Sequence, residues 1–444
     1  MTHSFKDVQD STAEYYVVDW QFRTPDGYKN SDIGIIPADW RVDSLSAVIG
    51  DLKAGVSVNS ISGDIGFLSA ESPAVLKTSC VQAGQFFPRE AKLIASMDVG
   101  RATITPVANS ILISRMNTIG LVGESGYVAQ DYPALYVPDR LWMTQFKSDA
   151  RLCVRWLSYV LSSDAYRTYL KSIATGTSGS MKNIAKRGVL DLRVAFPCYS
   201  EQRAISEALA DVDSLLESLD RLIAKKRAVK QAAMQQLLTG KTRLPGFDGE
   251  WFTKRMGDIA SIRMGRTPSR NYARFWGQVF VWLSIADLKG KVINSSKEQV
   301  TDAAAATMKI VPKGTLLMSF KLSIGRLAFA GCDLFTNEAI CSFHDLKADA
   351  GYIYYALQRT DFSLYGKQAV KGYTLNSESL KNVEVALPPK DEQIAIATAL
   401  QDMDAEIERL VERRDKTEEL KQGMMQQLLT GRIRLIKPDV SEAS

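Results

Sequence analysis

Histidine is nearly absent from this chain of 444 residues, with His3 and His344 its only two. The five cysteines, Cys80, Cys153, Cys198, Cys332 and Cys341, are scattered, odd in number and include no C-x-x-C pair. These two shortages exclude a Cys/His zinc site and a disulfide framework. No apolar run approaches the roughly 20 residues needed to span a bilayer. The opening Met-Thr-His-Ser-Phe-Lys-Asp lacks the charged-then-apolar order of a signal peptide, so a soluble, cytoplasmic protein is expected. Several signatures of catalysis are missing as well. The sequence holds no Asn-Pro-Pro-Tyr or Asp-Pro-Pro-Tyr tetrapeptide, no Gly-x-Gly strand-to-helix turn, no P-loop and no Asp…Glu-x-Lys nuclease cluster. No catalytic residue, metal ligand or cofactor site is therefore assigned.

What is present is 45% apolar and 24% charged residues, enough to build real cores, and a length that suits two or three domains. The net charge of +5 is a sum of unlike parts. Residues 1–34 carry −3, 35–199 carry +4, 200–244 carry +2, 245–390 carry +6 and 391–444 carry −4. Basic globular segments suit a polyanion, and nucleic acid is the commonest one.

Self-similarity is more informative than composition. The stretch from Glu201 to Leu244 aligns without a gap on Glu392 to Leu435, with 22 of 44 positions identical at a constant offset of 191, the whole of MQQLLTG included. Each copy reads as one long helix. Apolar or small residues recur at Ile205, Leu209, Val212, Leu216, Leu219, Ile223, Ala233 and Leu237, and at Ile396, Leu400, Met403, Ile407, Leu410, Met424 and Leu428. Steps of four and three keep one seam toward a partner helix, interrupted by Lys226 and Lys230 in one copy and by Arg414, Thr417 and Lys421 in the other. Ser200 and Asp391 stand where N-caps are expected, and Gly240 and Gly431 where left-handed C-caps are. About 38 residues at about 1.5 Å each give a rod of roughly 57 Å. Two such seams are most simply satisfied by each other.

Upstream of each helix lies a segment rich in strand formers, glycine and turns, and these two segments share a faint, ordered similarity. Ile36-Pro37-Ala38-Asp39-Trp40 corresponds to Gly249-Glu250-Trp251 at an offset of 211, and Ser114 to Gly120 corresponds to Ser319 to Gly325 at 205. The expected organisation is an N-terminal tail or strap (1–34), a first globular domain (35–199), a first helix (200–244), a second globular domain (245–390), a second helix (391–436) and a C-terminal tail (437–444). The fold class is α+β: two similar globular domains separated by two long coiled-coil helices, with an internal repeat. A duplication that keeps its helices and lets its modules drift suits two readers of different sequences.

This order of motifs resembles the specificity subunit of type I restriction-modification systems. The resemblance is carried by Tyr28 to Gly34 leading to Trp40, by the EQ-x-x-I starts, by QQLLTGK-x-RLPGF, by the second EQ helix ending in LLTG, and by Met264 to Arg270, Val281 to Leu288 and Pro312 to Leu317 in the second domain. It covers about residues 28–436. It implies a chain that is not itself an enzyme, with two antiparallel helices, an internal pseudo-twofold repeat and two target-recognition domains each binding one half of a split, asymmetric double-stranded DNA site. It further implies two adenine-N6 methyltransferase (modification) subunits docked on the helices and an added endonuclease/translocase (restriction) subunit. S-adenosylmethionine, ATP and Mg would be bound by those partners, and no membrane is involved. The competing reading is a coiled-coil adaptor without sequence-specific DNA contact.

Base reading needs bidentate Arg, Lys, Asn or Gln and hydroxyls on loops, with cations for phosphates. In the second domain the candidates are Arg266, Thr267, Arg270, Arg274, Lys321, Ser323, Lys371 and Tyr373. Their counterparts in the first are Ser57, Asn59, Arg115, Asn117, Thr118, Ser180, Lys182 and Asn183, with Arg101 as a phosphate candidate. Each has an alternative role as a solvated loop or a turn hydrogen bond. Trp20, Trp40, Trp142, Trp156, Trp251, Trp276 and Trp282 are assigned to packing rather than to base stacking. Partner binding is placed on the repeated helix ends, at Met234, Gln235, Gln236 and Leu237 and at Met425, Gln426, Gln427 and Leu428, because identical partners need near-identical surfaces.

Overall fold

The computed structural model describes residues 24–61, 72–176, 181–321, 323–369 and 372–436. The chain divides into two compact units, and the division falls inside both long helices. One unit runs to Glu217 and resumes at Asp415, and the other is Ser218–Arg414. The contiguous segmentation expected from the sequence therefore differs from the packing, which builds the first unit from two separate stretches of chain.

In the first unit the central sheet is antiparallel. Its order is Ser125–Val128, Ser110–Ser114, Leu141–Phe146 and Ile49–Ala54. Ile111, Leu112 and Ile113 are fully buried, as a continuous apolar run in a two-sided strand requires. A second sheet orders Leu135–Tyr136, Ala74–Leu76, Ala91–Ile94 and Ser60–Ile61. The helix Val154–Ser162 packs Trp156, Leu157 and Leu161 into the main core beside Ile111 and Ile113. Strand Arg193–Phe196 then pairs with Arg41–Ser44 and leads into the long helix.

The second unit repeats this order with one strand added: Ser261–Met264, Ile340–His344, Leu316–Ser319, Leu327–Ala330 and Val292–Ile293. Its second sheet is Trp276–Gly277, Glu298–Val300, Phe280–Leu283 and Phe335–Thr336. Helix Ala350–Arg359 takes the place of Val154–Ser162, and Phe252–Arg255 pairs with Glu384–Leu387 as the lead-in to the second long helix.

The long helices are Tyr199–Leu237 and Lys390–Leu428. Both start before the expected caps, so Ser200 and Asp391 lie in the first turn and are not N-caps. The first turns are fixed instead by Gln202 and Gln393. Gln202 accepts from the Cys153 amide at 2.9 Å and donates to the Pro197 carbonyl at 3.0 Å. Gln393 does the same with the Asp349 amide and the Pro388 carbonyl, both at 2.8 Å. The C-terminal glycines behave as expected, with φ of 68° at Gly240 and 69° at Gly431.

In each unit a stretch of one long helix runs antiparallel to a stretch of the other. In the first unit Lys421 pairs with Asp213 at 2.8 Å. In the second, Lys226 pairs with Glu406 at 2.7 Å, Arg414 with Asp220 at 3.4 Å, and Lys230 with Asp404. The polar interruption of the seam is thus an ion-paired contact. Lys421 is buried there, and Asp213 also accepts from the Tyr159 hydroxyl at 2.5 Å. At the matching place Asp404 accepts from the Tyr355 hydroxyl at 2.6 Å and faces Lys291 at 3.6 Å. Each Asp ties the helix pair to the tyrosine of its domain.

Each unit is closed by an arginine from the end of the helix that began in the other half of the sequence. Arg434 makes a fork to Asp39 at 2.9 and 2.7 Å and also binds Glu201, which is fully buried and accepts from the Trp40 indole at 3.0 Å. In the second unit Arg243 donates through Nε to Glu392 at 2.9 Å, and Trp251 donates to the same buried carboxylate at 3.2 Å. Burying a carboxylate is tolerable only with such charged partners. Among the described residues no helix is long and apolar enough to cross a membrane.

Candidate nucleic-acid interface

Where strand Ile49–Ala54 ends, Gly55 passes so close to the following connection that a Cβ on it would sit 1.6 Å from the Val137 carbonyl oxygen. Gly265, after Ser261–Met264, meets the Thr336 carbonyl in the same way at 2.1 Å. Only glycine fits such an approach. Both glycines clamp a loop carrying candidate residues against the turn that precedes the central strand Leu141–Phe146 or Ile340–His344.

In the first unit the loop after Gly55 carries Ser57 and Asn59, both exposed. The Asn59 amide donates to Asp98 at 2.7 Å, and Arg101 reaches the same carboxylate at 3.1 Å. Those two interactions hold the Asp98 carboxyl below its usual range. A second group forms where the two-residue strand Met116–Asn117 pairs with Lys182–Asn183, bringing Arg115, Asn117, Thr118, Lys182 and Asn183 together. Their roles differ. Thr118 is exposed, Lys182 donates to the Gly176 carbonyl at 2.9 Å, and Arg115 lies 5.3 Å over the Trp142 ring. The Arg115 Nε and Asn183 Oδ1 atoms are buried without a hydrogen-bond partner. Asn117 corrects the sequence reading: it is buried, donates to Ser114 at 3.3 Å and accepts the Thr118 amide at 2.9 Å, so it shapes the turn and presents no edge to a base. Ser180 lies outside the described residues.

In the second unit the Arg266 amide donates to the Thr336 carbonyl at 2.7 Å, which leaves the exposed Arg266 side chain directed from a pinned backbone. Arg270 is ion-paired with Glu298 and stacks 4.1 Å over Trp276, an arrangement that lowers the Glu298 carboxyl and raises the guanidinium. Exposed Arg274 lies over Tyr272 and Phe275 at 5.6 and 5.3 Å. Thr267 donates to Glu338, an exposed acid in the turn between Phe335–Thr336 and Ile340–His344. On the other side of that turn the Phe320 amide donates to the Ala339 carbonyl at 3.0 Å, so the Lys321–Ser323 loop abuts it. Ser323 donates its amide to the Lys321 carbonyl at 2.8 Å. Leu375 joins the same loop through Phe320 at 3.3 Å, bringing hairpin Lys367–Ala369/Gly372–Thr374 alongside. Lys371 and the Tyr373 side chain lie outside the described residues.

Sequence reasoning missed two residues at this surface, Glu338 and its counterpart Asp139, because only donors and hydroxyls were sought. The exposed acid between a Gly-clamped loop and an apolar strand was the available signal. The tryptophan assignment agrees with the burial of Trp40, Trp142, Trp156 and Trp282; Trp20 lies outside the described residues.

The proposed partner residues separate into two groups. Met425 and Leu428 are buried in the first core beside Trp40, and Leu237 in the second core, so they hold the chain's own domains and present no docking surface. Met234 packs against the second core. Gln235, Gln236 and Gln426 are exposed and Gln427 is half-buried.

Residues 248–421 match the family described as the type I restriction modification DNA specificity domain. Along 94% of this chain and 98% of its own length, the putative type I restriction enzyme MjaX specificity subunit of Methanocaldococcus jannaschii is 22% identical. The MjaIX specificity subunit of the same organism is 32% identical over 171 residues, which is 36% of this chain and 39% of that one. Among solved structures, the S subunit of the type I restriction-modification system from M. genitalium shares the fold with a TM-score of 0.55 at 14% identity, over 88% of this chain and 96% of that one. A chain from a structure of type I complex assembly and conformational transition does so with a TM-score of 0.54 at 17% identity, over 90% and 99%. Taken with the duplicated architecture, these similarities assign residues 248–421 to the type I restriction modification DNA specificity domain and make the chain similar to type I specificity subunits along nearly its whole length.

Proposed function

We propose that the chain reads a split, asymmetric duplex DNA site, one half with each globular domain, on behalf of a type I restriction-modification complex. The observation that carries this reading is the duplicated interface. Two units of the same strand order each converge a Gly-clamped loop, a turn and a distal hairpin or short strand pair on one set of polar and cationic side chains. The side chains in those loops differ between the copies, whereas the helix ends that close the units are nearly identical. Different readers on one repeated frame give an asymmetric site. Exposed Arg266, Arg274, Arg101 and Lys321 supply phosphate contacts, and Ser57, Asn59 and Thr118 supply polar groups for base edges.

The chain is the non-catalytic reader of the complex. Two adenine-N6 methyltransferase subunits dock on it and an endonuclease subunit joins them, these partners binding S-adenosylmethionine, ATP and Mg, in the cytoplasm where the DNA lies. Identical partners favour positions that are both exposed and identical in the two repeats. These are Asp211, Glu217, Lys225, Gln231 and Gln235 with Asp402, Glu408, Lys416, Gln422 and Gln426. Half-site spacing then depends on the helices, each 39 residues or roughly 58 Å long.

The test is co-expression with the methyltransferase subunit of its own system in a host without adenine methylation, followed by sequencing of modified bases. A single two-part motif is expected. Methylation without a motif, or none at all in an assembled complex, rejects the reading and leaves an adaptor.

A further inference from the structure

DNA carries about one negative charge per 1.7 Å of duplex axis, so a carboxylate facing it is repelled unless it meets a cation or a donor. The acids at the candidate interface obey this rule in two ways. Asp98 is paired with Arg101, and Glu298 with Arg270. Glu338 is different: its hydrogen bond comes from the uncharged Thr267 hydroxyl, and among the described residues it forms no ion pair. It is exposed, with Arg266 and Thr267 on one side of its turn and Lys321 on the other.

The first unit places Asp139 at the same point. Gly55 approaches Val137 as Gly265 approaches Thr336, and the Arg115 amide donates to the Arg140 carbonyl at 3.1 Å as the Phe320 amide does to Ala339 at 3.0 Å. Two residues beyond the close-approach carbonyl, each turn carries an exposed carboxylate, Asp139 or Glu338. Asp139 also forms no ion pair among the described residues. Flanking residues differ completely, Pro138 and Arg140 against Asn337 and Ala339, yet the negative charge stays.

Resting on the DNA-reading function proposed above, we infer that Asp139 and Glu338 are specificity-determining residues, each accepting a hydrogen bond from the exocyclic amino group of one base in its half-site. That group is cytosine N4 or adenine N6, the donors that the major groove offers to a carboxylate. The Thr267 hydroxyl orients Glu338 by donating to Oε2, and the carboxylate keeps lone pairs for the base.

Glu338→Gln and Asp139→Asn, near-isosteric changes that exchange one acceptor oxygen for a donor, test this in the full chain assembled with its methyltransferase subunit, with the modified motif read by sequencing. Glu338→Gln is expected to relax one position in one half of the motif, with discrimination there falling roughly ten- to hundredfold. Asp139→Asn does the same in the other half. The base lost, C or A, identifies the amine. In each variant the untouched half reports that the chain is folded. The inference is overturned if both variants keep every position of the motif, if both affect the same half, or if methylation rises evenly at all near-cognate sites, which marks simple repulsion of phosphates. A wild-type complex that gives no motif rejects the DNA-reading function and this inference with it; an unchanged motif in the variants rejects the inference alone.

Discussion

Asp404 shows how a single side chain can hold three parts of the chain together. Burial pushes its carboxyl pKa up, yet Lys230, Tyr355 and Lys291 together outweigh burial and leave it below the usual value. A carboxyl whose folded pKa is depressed stabilises the fold above about pH 4, and that contribution is lost as pH falls through the lowered pKa. Asp404→Asn is therefore expected to lower the urea midpoint at pH 7, and the gap from wild type to close in a titration below pH 4; a gap independent of pH contradicts the ion-pair role. Glu124 makes the complementary case. It is 1% exposed and ion-paired with Arg167 at 2.7 Å and Lys171 at 3.1 Å. Glu124→Ala removes the ion-pair partner of Lys171 and the acceptor of the Ala83 amide, leaves Arg167 with Asp164 alone, and is expected to cost about 3 kcal/mol, measured by chemical denaturation. At this scale the sequence disclosed candidate types but not their employment. Asn117 has the right chemistry for adenine and is used up by its own turn, a fact set by a contact with Ser114 and not by residue type.

At the scale of the element, the repeat was fully legible, because 3.6-residue periodicity is local and two copies of it confirm each other. Buried Ile205, Leu209, Ile396 and Leu400 lie where the spacing places them, although they enter the domain cores as well as facing a helix. The helix starts were misjudged because Gln202 and Gln393, inside the first turn, tie each start to the Cys153 or Asp349 amide, which lies on a segment distant in sequence. Sheet order was not legible, since Leu112↔Met143 and Leu317↔Ser342 are pairings that no local pattern specifies. The two C-capping glycines, alike in sequence, differ in surroundings. A Cβ on Gly431 would lie 2.4 Å from Pro37 and 3.1 Å from Trp40, whereas on Gly240 it would meet Trp251 at an ordinary 3.5 Å. Both alanine substitutions incur the left-handed penalty of about 1–2 kcal/mol. Gly431→Ala is expected to lower the first thermal transition more than Gly240→Ala does; equal shifts would show that Pro37 and Trp40 yield freely.

For the whole molecule, the net charge of +5 understates the polyanion-binding character of the two domain segments, which carry +4 and +6. Removing a phosphate contact with Arg274→Ala is expected to weaken DNA binding by the assembled complex evenly across sequences and to reduce the salt slope by about 1, measured by fluorescence anisotropy at several salt concentrations. An altered motif with an unchanged slope would instead make Arg274 a base reader. Truncation after Arg414 separates the two units in a different way. The second unit keeps Arg243, Glu392 and Trp251, whereas the first loses Lys421, Met425, Leu428 and Arg434. Limited proteolysis of that truncated chain is expected to spare 218–414 and to digest the first domain. The Arg434 closure also fixes a timetable during synthesis. Glu201 and Asp39 are made early, but their arginine follows only after the whole of Ser218–Arg414 has been translated. At about 5–20 residues per second, that delay is roughly ten to forty seconds. The domain that leaves the ribosome first is the last to be finished, and through that interval its Trp40 pocket stands open to chaperones and proteases.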